Sequence, residues 1–248
     1  MLSLADYSLI AYFYLALGVF LVGSTYLIVK MIFTPKGKTD TYLGFPYLHT
    51  YPQNTTFMGM AKNLAKRVLT FSSLKYERNL RIAALTFHYS LAIAIVAHLN
   101  FIFEPTLVSY GIPANTIYAI SFYAGLALGI LIVASGAYLL ARRISDPYLR
   151  SFSLLADYFV VSLIMAIATV GSLIRFYVSD SYLYSAVGAF MTGLFNGNLT
   201  AVPYCPYNLI FLHLILISTL LLYFPFSRLV HSFAFFTNPT LTTVFKRE

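Results

Sequence analysis

Five long apolar stretches constrain the fold of this chain more than any other feature of its sequence. They cover residues 7–33, 81–103, 115–141, 152–177 and 207–232. A helix needs about 20 apolar residues to cross the hydrocarbon core of a bilayer, and each stretch is at least that long. Of the whole chain, 59% is hydrophobic and 10% is charged, whereas soluble domains carry about 25% charged residues. We therefore predict an all-α membrane protein, with a five-transmembrane-helix bundle and residues 1–248 forming a single membrane domain.

The connections between these stretches carry most of the charge. Residues 34–80 form a long basic connection, and within it residues 56–71 match an amphipathic helix on the membrane surface. This connection is interpreted either as a docking surface for a soluble partner or lipid headgroups, or as a solvated basic loop. A polar tail, residues 233–248, is expected to leave the membrane.

Prolines and glycines predict where the helices are interrupted. Glu104-Pro105 should end the second helix, because proline lacks the backbone N–H donor. Pro225 should kink or unwind the fifth helix. Several glycines and prolines between residues 178 and 206 indicate a loop after the fourth helix.

The basic residues are distributed unevenly across the predicted bundle. The chain has 16 lysines and arginines, and all except Arg175 lie on the side of residues 34–80, the third connection and the C-terminus. The positive-inside rule then places the N-terminus outside and the C-terminus in the cytoplasm. We attribute the net charge of +8 to this topology and to partner docking, and expect no nucleic-acid partner.

Four of the five histidines lie in the second and fifth apolar stretches. His88 and His98 are ten residues apart, which is roughly 15 Å along a helix. His213 and His231 are 18 residues apart, which is about five turns, so both leave the same face of a straight helix. Because the two helices are antiparallel, His98 should face His213 near the outer surface and His88 should face His231 near the inner surface.

Paired imidazoles in an apolar bundle are typical of b-type haem ligation, because haem iron takes axial histidines in a low-dielectric setting. A hydrogen-bonded packing role is the alternative for a single buried histidine. The separations on the two helices do not match, since 18 residues of straight helix extend roughly 27 Å. Helix tilt and the kink at Pro225 must absorb the difference. His49 lies in the basic connection and is assigned no role.

Arginines near the predicted helix ends are candidate contacts for haem propionates or quinone. Arg81, Arg142, Arg143 and Arg228 lie near the inner surface and could pair with propionates, or could simply mark the interface. Arg175 lies near the outer end of the fourth helix. It is interpreted as a propionate or quinone contact, or as an arginine that extends to the interface.

Four sequence runs resemble the family of the haem-b gamma subunit of respiratory nitrate reductase. They are FHYSLAIAIVAHLNF, ARRISDPYLR, LLADYF and HLILISTLLLYFPFSRLVH. The resemblance covers about residues 80–238, and it includes the ten- and eighteen-residue histidine spacings. Five features are more similar to the membrane cytochrome of the dissimilatory sulfite-reduction-associated complex: the basic connection, Phe103-Glu104-Pro105, Ala156-Asp157-Tyr158-Phe159, the GSLIRFY run and Asn238-Pro239-Thr240. The membrane cytochrome of heterodisulfide reductase is a further relative.

The resemblance implies a five-span bundle that binds two haems b, with His88, His98, His213 and His231 as axial ligands. It also implies a quinone site close to the outer haem and a cytoplasmic iron–sulfur subunit in the same complex. The nitrate reductase subunit has a lysine early in its third helix, associated with quinol binding. Residues 112–118 contain none, which favours the other relatives.

The expected function is therefore electron transfer, in either direction, between the quinone pool and a cytoplasmic iron–sulfur partner. Sulfur or sulfite metabolism is the expected setting, with nitrate reduction or heterodisulfide reduction as alternatives. Besides membrane lipid and quinone, further membrane or extracytoplasmic subunits are compatible partners. A transporter is disfavoured, because acidic residues are almost missing from the spans and no paired broken helices repeat. A haem-free anchor with packing histidines remains the other alternative.

Overall fold

The computed structural model describes residues 2–33, 66, 69–71, 74, 76–177 and 181–232. Over these residues the regular structure is helical, and no strand occurs within them. The helices are α1 (Leu4–Phe33), α2 (Arg78–Ala97), α3 (Asn100–Ser109), α4 (Ala114–Ser145), α5 (Pro147–Ser151), α6 (Leu155–Tyr177), α7 (Ser181–Asn196) and α8 (Leu209–Tyr223). Short 3-10 turns lie at Pro206–Asn208, Phe224–Phe226 and Arg228–Val230.

Within the described residues, five helical segments are long and apolar enough to cross a membrane. They are Leu4–Lys30, Arg78–Ala97, Ala114–Ser145, Leu155–Tyr177 and Pro206–Phe226. The prediction of an all-α membrane protein with five spans is confirmed. The predicted connection 34–80 is described only at a few residues near its end, so the proposed amphipathic helix at 56–71 lies largely outside the described residues. The tail 233–248 lies wholly outside them.

Neighbouring spans pack in chain order. α2 packs against α4, α4 against α6, and α6 against α8, while α1 covers the other side of α8. Buried Phe87, Ile132, Val160 and Ile164 join α2, α4 and α6 in one apolar cluster. Close approach of α4 and α6 depends on Gly129, since a Cβ there would overlap the Ser172 hydroxyl. The contacts of α2 with α4, α4 with α6 and α6 with α8 are thus three of the four sides of an arrangement of these four helices.

The second span departs from its predicted boundary. The prediction that Glu104-Pro105 ends this helix is wrong, because α2 already ends at Ala97 and α3 continues past Pro105 to Ser109. At the break, the N–H of His98 is shared between the carbonyls of Ala94 (3.3 Å) and Ile95 (3.2 Å). This tightening of the last turn separates the two helices. The chain reverses only at Gly111, whose φ of 89° suits glycine.

The segment after the fourth span is also more regular than predicted. Instead of a loop, residues Ser181–Asn196 form α7, which packs against α3. Its glycines allow close packing rather than irregular backbone. A Cβ on Gly188 would lie 3.4 Å from the carbonyl oxygen of Phe101 in α3, and one on Gly193 would overlap the Asn198 carbonyl.

The fifth span breaks where Pro225 predicts a break. α8 ends at Tyr223, and residues Phe224–Phe226 form a 3-10 turn. Ser227 is extended, with φ −107° and ψ 170°. Residues Arg228–Val230 then form a second 3-10 turn that leads to His231. The predicted interruption of this helix is confirmed, and residues 224–231 are called the terminal turn below.

Candidate functional site

The structure brings His98 and His213 together. His98 is the C-cap residue of α2, and His213 lies in the first half of α8. Their ring centroids are 6.4 Å apart and the ring planes differ by 14°, so the rings are nearly parallel. We call these two residues the outer pair.

His88 and His231 form a second pair. His88 lies in the middle of α2, ten residues before His98, and His231 is the last residue of the terminal turn. The centroids of these rings are 6.2 Å apart, with an interplanar angle of 78°. Phe71 and Phe87 flank His88, with centroids 5.0 and 5.6 Å from its ring. We call His88 and His231 the inner pair.

Both separations fit two imidazoles on opposite sides of one metal ion. Transition metals bond imidazole nitrogen at about 2 Å, and adding the ring radius on both sides gives roughly 6 Å between centroids. If the imidazoles of each pair only stacked on each other, there would be no reason for the two pairs to share the same centroid separation. The same spacing in both pairs would allow each pair to hold one metal ion between its two imidazoles.

Hydrogen bonds orient three of the four imidazoles. The Nδ1 atoms lie 2.7 Å from the Ala84 carbonyl in His88, 2.6 Å from the Ala94 carbonyl in His98, and 2.6 Å from the Arg228 carbonyl in His231. A carbonyl oxygen can only accept, so each Nδ1 must carry the proton. The lone pair of the neutral ring is then on Nε2, as metal ligation by histidine requires.

His213 is held differently from the other three. Its Nδ1 is buried and makes no hydrogen bond to the described residues. The ring lies against Gly171 of α6, where an added Cβ would be 3.0 Å from its Cε1 atom. A larger residue at position 171 would press directly on the ring, so Gly171 makes room for it.

The helices next to the pairs are less closely packed than the other neighbouring spans. His88 lies in α2, His98 at its end and His213 in α8. Over the described residues, α2 and α8 do not form the extensive backbone contact that joins the other neighbouring spans. They face each other mainly through side chains on the fourth side of the four-helix arrangement. Among the described residues, no three His, Cys, Asp or Glu side chains converge as a protein-only metal site needs. Two histidines per site would suit haem, because the porphyrin would supply the remaining ligands.

A polar cluster adjoins the outer pair. The Arg175 guanidinium donates to the Ser121 carbonyl (2.5 Å), and it lies over Gly125, where a Cβ would overlap it. The Asn100 amide donates to the Tyr184 hydroxyl (2.8 Å), and burial raises the pKa of that phenol. We call Arg175, Ser121, Asn100 and Tyr184 the outer polar cluster.

One aromatic ring links this cluster to the outer pair. The Phe101 centroid is 4.9 Å from the Tyr184 ring and 6.4 Å from the His98 ring. Of the cluster, sequence reasoning identified only Arg175. Asn100 lies within the predicted second span but was given no role, and Tyr184 was missed because it lies on α7, which the sequence pattern did not predict.

The inner arginines make protein contacts in this structure. Arg142 pairs with Glu77 (2.6 Å), and Arg81 donates through Nε to the Thr70 carbonyl (2.9 Å). Arg228 and Arg143 both bind Asp157, at 3.1 and 3.0 Å. Of these residues, Arg228 is directly connected to the inner pair, because its carbonyl accepts from His231. Sequence reasoning did not identify Asp157 as their shared partner.

The fold and the paired histidines define a multi-pass membrane protein of the cytochrome b class. Comparison with known families agrees, since the model for the nitrate reductase gamma subunit matches residues 38–241. The chain belongs to the nitrate reductase gamma subunit family. The resemblance read from the sequence is thereby confirmed.

Two curated relatives show how far this similarity extends. An Hdr-like menaquinol oxidoreductase cytochrome b-like subunit of Archaeoglobus fulgidus is 31% identical over 194 residues, covering 74% of this chain and 56% of the relative. The respiratory nitrate reductase 1 gamma chain of Escherichia coli is 29% identical over 170 residues, covering 64% of this chain and 74% of the relative. The chain thus spans little more than half the length of the archaeal relative.

Proposed function

We propose that the chain binds two b-type haems, one at each histidine pair, and transfers electrons between quinol and a cytoplasmic iron–sulfur partner. The observation that carries this proposal is the repeated pairing: two imidazole pairs, with centroids 6.4 and 6.2 Å apart, at two levels of the same two spans. His98 and His213 hold the outer haem, and His88 and His231 hold the inner one.

Haem b bound at these pairs supplies one-electron redox chemistry inside an apolar bundle. The chain's own residues position the rings. Backbone carbonyls of Ala84, Ala94 and Arg228 fix three imidazoles with Nε2 available for iron. Such hydrogen bonds also raise the basicity of the ligand nitrogen.

The outer polar cluster is the proposed quinol site. Quinones present carbonyl oxygens that accept hydrogen bonds, and quinols present hydroxyl groups that donate them. Arg175 and Asn100 offer N–H donors, and Tyr184 offers a hydroxyl group, beside Phe101 and His98. We propose that quinol is oxidised here and that its protons leave toward the outer face. Arg175→Gln should lower quinol oxidation and leave both haem absorbance bands in place.

We propose that the N-terminus is outside and the C-terminus is cytoplasmic, following the predicted distribution of lysine and arginine. The basic inner surface then faces an iron–sulfur subunit. Sulfur chemistry, a disulfide or persulfide couple at that partner, is the favoured terminal reaction. The relative named as an Hdr-like menaquinol oxidoreductase subunit supports this choice, and so does the absence of lysine from residues 112–118. Nitrate reduction is the alternative, because the nitrate reductase gamma chain matches at similar identity.

Spectroscopy of the purified full chain tests the proposal. Reduced-minus-oxidised spectra should show six-coordinate low-spin haem b, at about two haems per chain by pyridine haemochrome assay. His98→Ala and His213→Ala should each remove one haem and leave the other. A colourless protein would instead support a haem-free anchor, and the loss of both haems from every single variant would indicate a merely structural role for the four histidines. Membrane vesicles with added menaquinol and an artificial acceptor then test the electron-transfer step.

A further inference from the structure

We propose that Asp157 is a positioning residue for the inner haem site, acting through Arg228 on the ligand His231. This inference rests on the proposed ligand role of the inner pair. Asp157 touches neither histidine of that pair in the contacts found here. Its effect is to hold the terminal turn so that His231 faces His88.

Asp157 is a buried carboxylate with a full set of partners. It lies in the first turn of α6, and its side chain is 5% exposed. One carboxylate oxygen forms an ion pair with Nε of Arg228 at 3.1 Å. The other forms an ion pair with Arg143 at 3.0 Å and accepts from the backbone N–H of Leu154, also at 3.0 Å. A buried carboxylate is stable only when paired and hydrogen-bonded in this way.

Arg228 links this carboxylate to the haem ligand. Its guanidinium binds Asp157, while its backbone carbonyl, three residues before His231, accepts the Nδ1–H of that histidine at 2.6 Å. The guanidinium and the backbone carbonyl of Arg228 therefore each have a partner. A shift of the guanidinium away from Asp157 would move the carbonyl and change the orientation of the His231 ring.

The terminal turn needs such an anchor more than α8 does. His213 is part of a regular helix, whereas His231 follows two 3-10 turns separated by the extended residue Ser227. Within the turn, the Ser227 hydroxyl accepts from the N–H of Leu229 at 3.1 Å. That bond is local, so it cannot fix the turn relative to α6. The ion pair between Arg228 and Asp157 provides this connection.

Asp157→Asn in the full chain tests the proposal. The amide oxygen can still accept from Leu154, so α6 keeps its first-turn hydrogen bond while the charge that holds Arg228 is lost. We expect haem content to fall from about two toward about one per chain, with loss confined to the inner haem. Electron paramagnetic resonance of the ferric haems assigns the loss, and hydrogen exchange at residues 227–231 should become faster.

Asp146→Asn is the matched control. It makes the same carboxylate-to-amide change at the residue that caps α5, where Asp146 accepts from the backbone N–H groups of Tyr148 and Leu149. Asp146 is not the partner of Arg228, so the inner haem should be retained. If Asp157→Asn keeps both haems with unchanged spectra and exchange, the positioning role is refuted. Equal loss in both variants, or loss of both haems, refutes it too, because the effect would then be on overall folding. A wild-type chain without haem would instead refute the proposed function.

Discussion

Gly23 of α1 is the place where the terminal turn rests against the first span, and Gly23→Ala is a sharp test of how His231 is positioned. A Cβ built at position 23 would lie 2.7 Å from Cβ and 2.8 Å from Cγ of Pro225. Carbon atoms pack at about 3.5–4.0 Å, so the overlap is roughly 0.8 Å. The proline ring is rigid and Pro225 is buried. The contact is therefore relieved by moving the terminal turn.

The expected change in the free energy of unfolding follows from two opposing effects. Overpacking of this kind costs about 1–3 kcal/mol, and replacing a helical glycine with alanine returns about 1 kcal/mol. The net change in stability is therefore small, roughly 0–2 kcal/mol. The effect on the site is larger, because ligand constellations tolerate displacements of only about 0.5 Å. We expect the Gly23→Ala protein to fold but to bind the inner haem weakly.

Gly18→Ala is the control on the same helix. Nothing lies within 4 Å of a Cβ at position 18, so this substitution changes helix propensity without a steric clash. Haem content by pyridine haemochrome assay, ferric resonance spectra and melting temperature in detergent would be compared for both variants. We expect selective loss of the inner haem for Gly23→Ala alone. Identical haem content and spectra in the two variants would refute the role of the Gly23–Pro225 contact.

Three further outcomes are expected. Gly125→Ala should displace the Arg175 guanidinium from Ser121. Because the flexible arginine side chain can move away from the added methyl group, the melting temperature should not change, whereas steady-state quinol oxidation should fall. Burial raises the pKa of Glu104, so its carboxyl group holds a proton more tightly in the folded chain than in the unfolded chain. The free energy of unfolding therefore falls as the pH rises from the unfolded-state pKa of this group toward its folded-state pKa. Glu104→Gln should therefore raise the melting temperature above that pH range and leave it unchanged below. Finally, the near-perpendicular inner pair (78°) and near-parallel outer pair (14°) should give ferric resonance spectra in which the inner haem has the larger maximum g value.

The sequence pattern could predict the spans and the pairing of the histidines because both depend on regular helix geometry. Apolar length alone identifies a span, and antiparallel order alone decides which histidines meet. The sequence could not predict α7, because its 16 residues are too short to cross the membrane and contain glycines that suggest a loop. Gly188 is explained only by the folded chain, where the Phe101 carbonyl of α3 lies against it, and Gly193 likewise makes room for the Asn198 carbonyl.

Asp157 shows a second limit of sequence reasoning. A carboxylate in the first turn of a helix is normally explained by the helix dipole and local capping, and Asp157 does accept from Leu154. Its partners Arg143 and Arg228 are 14 residues before it and 71 residues after it in the chain. Nothing in the local sequence selects them from the other basic residues near the inner surface. Only the packing of α4, α6 and the terminal turn brings the three together.

The interrupted fifth span is a requirement of the site rather than an irregularity. Along α2, His88 and His98 are separated by ten residues, or roughly 15 Å. α8 extends ten residues from His213 to Tyr223 before it ends, which is again roughly 15 Å. The eight residues that follow must then bring His231 level with His88 without adding further length along the axis. A continuous helix would carry His231 roughly 12 Å beyond that level, and the inner pair could not form. The break at Pro225 and the extended Ser227 are therefore as necessary to the inner pair as its two histidines, and the proposed role of Asp157 is to hold them in place.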